Sequence, residues 1–292
     1  MTGMPMPQTS ILTLGLVAVC LACAAPVVAS AAQPPSSSQA AAPARVQPGM
    51  QPDTQMLAQW IHGAEHILRG QTSAAVMSMK IKKTSFEREY DLMVMTDDRN
   101  PASKVLLRML GPALWRDNAT LKVGDKISFY DPRTNRITVM GNSMLGDNWM
   151  GSHFTNDDLM RETDLSRHYS YVLVAGAAGK DAAGQPVDDY TISLSPLPTA
   201  PVSWGKVLYR LYVGADGQAY PQRVEYFRRA GDDKPVRALV YEDVRVMDGK
   251  AVPTRLTMNV LDQPGEYTRI DYKRIRFGLD LKADEFTERA FR

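Results

Sequence analysis

Past Gly70 the apolar residues of this chain keep largely to every second position, and a sustained period of two is the signature of β-strands with one buried face. In AVMSMKIKK, residues 75–83, Ala75, Met77, Met79 and Ile81 share a face. Phe86, Tyr90, Leu92 and Val94 share the next, with Arg88 the exception, and Val105, Leu107 and Met109 form a third. The pairs Leu121 and Val123, Ile127 and Phe129, and Ile137 and Val139 continue the series. Turn residues punctuate it at 98–101, 111–112, 124–125 and 131–135. Further strands are expected at 169–175, 189–194, 206–213, 220–228, 236–246, 254–261 and 267–277, with turns at 179–181, 214–217, 231–233, 248–249 and 263–265. Strands at such spacing without alternating helices favour one large antiparallel sheet, curved or partly closed, over a parallel α/β fold. No internal repeat of fixed period is visible.

One segment before the sheet has a different period. Leu57, Trp60, Ile61, Ala64, Ile67 and Leu68 recur at helical spacing between Asp53, an N-cap residue after Pro52, and Gly70, a C-terminal stop. This predicts an amphipathic helix of about four turns. A sheet of this size needs cover on its concave side, and two segments are available: this helix and the stretch near 149–165.

The chain divides into residues 1–32, 33–52 and 53–292. Within the first, ILTLGLVAVCLACAAPVV (11–28) is uncharged and runs into Ala29, Ser30, Ala31 and Ala32, the pattern of a secretory signal peptide. Cuts after Ala29 or after Ala31 both leave small residues at the −3 and −1 positions. The absence of Lys or Arg before Arg45 departs from the usual pattern. Two other readings stand beside cleavage: retention as an anchor, opposed by Pro26 and the short run, and lipidation at Cys23, opposed by Cys20 standing where that motif wants Leu. Cys20 and Cys23 are the only cysteines, so a cleaved chain has no thiol, disulfide or cysteine metal ligand. An exported, cysteine-free domain suits the bacterial periplasm. Residues 33–52 are rich in Ala, Pro, Ser and Gln with one charge, Arg45, the composition of a flexible tether.

Charge argues against a nucleic-acid partner: 34 Lys and Arg nearly balance 32 Asp and Glu, and no basic block stands out. His62-Gly63-Ala64-Glu65-His66 matches the H-x-x-E-H zinc-peptidase spacing, in which two histidines one turn apart bind metal and the glutamate acts as base. The helical wheel places His62 and His66 opposite the apolar stripe, facing solvent, whereas a catalytic zinc helix buries its ligands. A zinc hydrolase using His62, Glu65 and His66 is therefore the remote alternative, and no catalytic residue, metal or cofactor is assigned.

WMGSHFTNDDL (149–159) gathers Ser152, His153, Asp157 and Asp158. It lacks the strand-to-helix elbow that presents a hydrolase serine. The structural reading is a loop entering a helix, with Thr155 or Asn156 as N-cap and the aspartates in the first turn. Methionines carry a quieter signal. Of the 13 after residue 32, eight lie between Met77 and Met150. Flexible thioethers suit a surface that must accommodate varied apolar ligands.

Several stretches together resemble a known family. EHILRG (65–70) followed by AVMSMKI, then KVGDKISFYDPRTNRI (122–137), WMGSHFTNDDL with the spaced Tyr169, VSWGKVLYRLYV (202–213), PTRLTMNVLDQPGEYTRIDY (253–272) and DEFTERAFR (284–292) are similar in order to the outer-membrane lipoprotein-sorting, LolA-like superfamily. The likeness is to the branch found beside large inner-membrane exporters, and spans roughly 55–292. It implies a mainly β fold, an incomplete or half β-barrel with helices covering an apolar concave face, that carries lipid or acylated lipoprotein cargo through the periplasm. The family commonly has Asp where this chain has His153, which puts the role of that position in question.

The expectation is thus a carrier, not an enzyme, with an inner-membrane exporter of the hydrophobe and lipid-export type as second partner. Trp60, Ile61 and Leu68 would form a helical plug. Met77, Met79, Leu92, Val94, Val105 and Leu107 would line the trough, and Trp149, Met150 and Phe154 would form a movable rim. A one-residue slip in register would turn every one of the strand residues outward. The rival is a periplasmic adaptor subunit that binds an exporter through exposed sheet edges and carries no cargo.

Overall fold

The computed structural model describes residues 52–291 except 101, 145, 157, 159–164, 182–183, 199 and 201. The expected signal peptide, almost all of the tether, Cys23 and Asp157 lie outside the described residues. The chain opens with helix α1 (Thr54–His66), then runs through β1 (Thr72–Lys82), β2 (Glu87–Asp97), β3 (Lys104–Gly111), β4 (Ala119–Val123), β5 (Lys126–Asp131) and β6 (Arg136–Val139). After the rim segment and a single helical turn, Leu165–His168, come β7 (Tyr169–Lys180), β8 (Pro186–Pro196), β9 (Lys206–Val213), β10 (Ala219–Phe227), β11 (Arg237–Met247), β12 (Lys250–Val260) and β13 (Tyr267–Phe277).

All of these strands belong to one curved, unclosed antiparallel sheet in the order β6-β5-β4-β3-β2-β1-β13-β12-β11-β10-β9-β8-β7. Each strand pairs with its sequence neighbour, except that β1 and β13 join the two halves and β6 and β7 are left as edges. The first wing is β1–β6, the second β7–β13. A two-residue turn, Asp248-Gly249, joins β11 to β12, and both residues have positive φ (50° and 78°). That is the conformation the twist of a tight hairpin demands and that Asp-Gly supplies at low cost.

Helix α1 begins where the sequence places it. The Asp53 carboxylate accepts from the Met56 amide at 2.8 Å and caps the first turn. It ends a turn early, at His66, where the Gly70 amide bonds the His66 carbonyl with Gly70 at φ 59°. Its apolar stripe packs on β7, β9 and β10, and the Trp60 ring stacks on Tyr190 of β8 at 4.5 Å. The helix therefore roofs the second wing.

The middle of the first wing, β3–β5, packs on both sides. Leu106 pairs with Leu121, whereas Leu107 pairs with Thr120, so Leu121 faces away from Val105 and Leu107 rather than alongside them as the simple alternation suggested. Leu106, Ala119, Leu121 and Tyr130 form a second core with Leu281, Phe286 and Phe291 of the closing turns, Ala283–Phe286 and Glu288–Phe291. Tyr130 and Phe291 stack nearly parallel at 5.2 Å. Several strands outrun expectation: β7 continues through Lys180, where a turn was expected, and β8 and β12 are longer at both ends or at the start. Their pairing partners supply ladder hydrogen bonds to residues whose own side chains carry no strand signal.

Candidate functional site

A cavity of about 190 Å³ lies between the sheet and its covers. The first wing supplies an aliphatic wall. Antiparallel register pairs Met77 with Leu92, Val94 with Leu107, and Thr96 with Val105, which sets Met77, Leu92, Val94, Val105 and Leu107 on the cavity face together. Near its upper end Ser73 and Thr96 bond each other through their hydroxyls at 2.8 Å, so this polar pair is satisfied internally.

The second wing adds Val224, Leu239, Leu256, Met258 and Ile270, and it supplies every tyrosine of the wall: Tyr169, Tyr209, Tyr226, Tyr241 and Tyr272. These rings follow from alternation. Tyr209 is in phase with the buried Val207, Leu211 and Val213, and Tyr226 with Val224. Burial pushes the phenols of Tyr209 and Tyr226 well up from their ordinary value, and the Glu65 carboxylate adds to both. Trp204 joins them because Gly205 follows it. A Cβ on Gly205 would lie 2.7 Å from the Arg229 Cα, and the Gly205 amide bonds the Phe227 carbonyl at 3.0 Å, so only glycine brings the chain close enough to turn the indole inward.

The roof consists of Ala64, Glu65, Leu68 and Arg69 from α1 and the turn after it, with Trp149, Phe154 and Asp158 from the rim. Arg69 reaches Asp98 through two bonds of 2.8 Å and Ser103 through one of 2.9 Å. Burial alone would raise Asp98, yet these bonds hold its carboxyl below the ordinary value. The rim segment turns back on itself, the Trp149 amide bonding the Phe154 carbonyl at 2.8 Å, with Met150 at φ 53° and Gly151 at φ 75°.

Two buried anchors tie this rim to the second wing. His153, 7% exposed, sits on Thr268: its backbone amide and its Nδ1 both lie 2.9 Å from the Thr268 hydroxyl, and Nε2 lies 3.4 Å from Glu266. Burial lowers the His153 pKa against the pull of Glu266. Glu266 is itself held at about 2 because it accepts from the Thr84 hydroxyl and amide, each at 2.7 Å. The second anchor is Arg237, which pairs with both oxygens of Asp158 while its guanidinium stacks over Trp204 at 4.3 Å and Tyr226 at 4.6 Å. Thr155 and Asp158 also exchange reciprocal bonds, Asp158 accepting from the Thr155 amide at 2.7 Å and donating its own amide to the Thr155 hydroxyl at 3.2 Å. This is the capping pattern expected for a helix start, with Thr155 as the cap. Among the described residues the Ser152 hydroxyl bonds only the backbone of Phe154, at 3.1 and 3.3 Å, and not His153.

Of the residues expected to bind a ligand, Leu68, Met77, Leu92, Val94, Val105, Leu107, Trp149 and Phe154 come together on the cavity wall. Trp60, Ile61 and Met79 are fully buried in the main core away from the wall, and Met150 is half-buried against that core. The methionine signal also narrows. Of the eight between Met77 and Met150, only Met77 reaches the wall, while Met79 and Met109 fill the core. The tyrosines, Trp204 and Arg237 were missed. Their in-phase positions in β9 and β10 were readable, but Arg237 meets Asp158 across 79 residues of chain. In the zinc-like motif His62 is exposed, His66 is half-buried, and their rings lie 4.1 Å apart, while Glu65 turns to the cavity wall. No group of three or more metal-ligating side chains occurs among the described residues.

A family model described as "Uncharacterized protein" matches residues 102–292, well over half of the chain. No curated protein matches. Among solved structures, a DUF1329 family protein from Desulfovibrio piger superposes with a TM-score of 0.68 at 16% identity, covering 82% of this chain and 99% of that one. An outer membrane lipoprotein-sorting protein domain from Vibrio parahaemolyticus gives 0.64 at 18% identity, covering 80% and 97%. A LolA superfamily protein from Nitrosomonas europaea gives 0.61 at 19% identity, again covering 80% and 97%. At these identities the likeness is one of fold. The chain belongs to the family of that matching model, and its fold is that of the LolA-like lipoprotein-sorting proteins.

Proposed function

We propose that the protein is a periplasmic carrier of the lipoprotein-sorting kind, which holds the acyl chains of a lipid or lipoprotein in the cavity and passes them between membrane components without altering them. The observation that carries this reading is an apolar cavity on the concave side of an unclosed sheet, roofed by a helix and a rim rather than by further strands. Each methylene withdrawn from water contributes about 0.8 kcal/mol, so a long chain gains enough to enter such a space. Release requires the roof to part, and contacts between side chains and the Arg237–Asp158 and His153–Thr268 anchors can part without breaking a strand ladder. The fold relatives named for lipoprotein sorting support the same use. An inner-membrane exporter is the proposed neighbour from which cargo is received.

The rim is tested with Trp149→Ala combined with Phe154→Ala. Affinity for an uncharged fluorescent apolar probe is expected to fall about tenfold while the circular dichroism spectrum is retained. Unchanged affinity in a folded variant removes the rim from the proposal. An adaptor that carries no cargo is the second reading, favoured by β7, an edge strand with neither charge nor proline from Tyr169 to Gly179 and with Val172 and Val174 62% and 58% exposed. Native mass spectrometry of protein prepared without detergent separates the two: retained lipid supports the carrier, and a consistently empty protein supports the adaptor.

A further inference from the structure

We propose that His62 and His66 form a two-histidine chelate for a divalent transition-metal ion, Cu(II) by preference, on the outer face of α1. The carrier reading does not use this pair, so the site stands or falls independently of the cavity. The two residues are one helical turn apart, His62 exposed and His66 half-buried, and their rings lie 4.1 Å apart and inclined by 32°. Histidines at this spacing on one helix can grip a single ion from the same side. Two nitrogens each held about 2.0 Å from one ion lie roughly 3–4 Å apart, a separation that rings at 4.1 Å reach by small side-chain rotations.

One of the two ligands is already oriented. The His66 Nδ1 lies 2.9 Å from the His62 carbonyl oxygen. A carbonyl only accepts, so Nδ1 carries the proton and donates it, which leaves the Nε2 lone pair of the neutral ring for a metal. Ligating imidazoles are held by this kind of bond from the other nitrogen, which fixes both tautomer and ring plane. The pair also occupies the last turns of α1, which ends at His66, where the carbonyl end of the helix favours positive charge. The Asp98 carboxylate acts on His66 in the same sense, and the Arg69 guanidinium in the opposite one.

The donor set selects both the metal and its use. Among the described residues no third His, Cys, Asp or Glu side chain joins the pair, so solvent completes the coordination shell. Two imidazoles with water suit the tetragonal geometry of Cu(II), which also binds nitrogen ligands more tightly than Ni(II) or Zn(II). Hydrolysis is not expected of it, because Glu65, the base of the H-x-x-E-H pattern, turns to the cavity wall. A bound ion instead ties the turn containing Gly63, the poorest helix former in α1. It thereby steadies the helix whose other face packs on the second wing.

The test is calorimetric titration of Cu(II), Ni(II) and Zn(II), each separately, into the purified protein at about pH 7.5, above the ordinary imidazole pKa of about 6.5, with any cysteine alkylated. One equivalent of Cu(II) is expected to bind, more tightly than either other ion. His62→Gln and His66→Gln should each weaken Cu(II) binding at least about tenfold while the circular dichroism spectrum is retained. The electron paramagnetic resonance spectrum of bound Cu(II) should show coupling to two ring nitrogens in the wild type and to one in either variant. Cu(II) should also raise the melting temperature of the wild type and leave that of His62→Gln unmoved. Unchanged Cu(II) affinity in His62→Gln, a change at an exposed position, overturns the proposal. So does a loss of binding found only in His153→Gln or His168→Gln, which replace the other two histidines. Neither outcome bears on the carrier reading, which the apolar probe tests separately.

Discussion

The two wings of the sheet are built from the same alternation and are put to opposite uses. The first, β1–β6, is covered on its outer side by the closing turns, and so presents a plain aliphatic wall of methionine, leucine and valine to the cavity. The second, β7–β13, is covered on its inner side by α1 and the rim, and carries the tyrosines, Trp204 and the Arg237–Asp158 pair. Their free edges differ too. Edge strand β6 has four residues and begins with Arg136, which blunts it, whereas β7 has twelve, uncharged until Lys180. One wing thus supplies bulk apolar surface, and the other supplies polar placement and the accessible edge.

The largest expected effect that separates them is on stability. Trp60→Ala, which deletes a fully buried ring under the roof of the second wing, should cost about 4 kcal/mol in urea unfolding and weaken probe binding, because α1 loses its seat on Tyr190. Phe291→Ala should cost about 3 kcal/mol through loss of the stack on Tyr130, yet leave probe affinity close to wild type, since that core lies on the other side of the sheet. Equal losses of binding in the two variants would collapse the distinction.

A smaller effect should appear with pH. His153 and His66 are both lowered from 6.5 chiefly by burial, so the unfolded chain takes up protons first as pH falls. Their contribution is complete above 6.5 and declines below it. Glu266, held at about 2 against an ordinary 4.5 by its Thr84 bonds, contributes above 4.5 and is lost as pH falls from there to 2. Melting temperature measured from pH 8 to 4 should decline below 6.5, with a shallower decline in His153→Gln. An identical profile in that variant would show that the His153 anchor does not titrate with the fold. The least effect on folding, within about 0.5 kcal/mol, is expected for Val172→Lys with Val174→Lys on edge strand β7. If this edge docks a partner, analytical ultracentrifugation or exporter pull-down should show association lost with stability unchanged.

Much of this was legible beforehand because strand and helix periods are local properties. The Met77, Leu92, Val94, Val105 and Leu107 face is set by alternation within three neighbouring strands, so its common direction could be read, although its inward sense could not. Leu121 went to the other face because register belongs to a pair of strands, and only the pairing of Leu106 with Leu121 settles it. Met79 was in phase with Met77 but lies further along β1, where the space is filled with core instead of cavity. His153 illustrates the same limit: a histidine beside two aspartates suggested chemistry, and its partners are instead Thr268 and Glu266, more than a hundred residues away.

By itself the sequence determined the elements: one capped amphipathic helix, strands joined by glycine and aspartate turns, and a segment after Trp149 entering a helix with its cap at Thr155 or Asn156. Those features follow from backbone preference and side-chain period, which act over a few residues. Tertiary structure decided that β1 would join β13, that α1 would roof one wing and the closing turns back the other, and that Arg237 would hold Asp158 beside a wall of tyrosines. These depend on which surfaces meet after the chain has travelled far, and contact energy across such distances leaves no mark at either position alone.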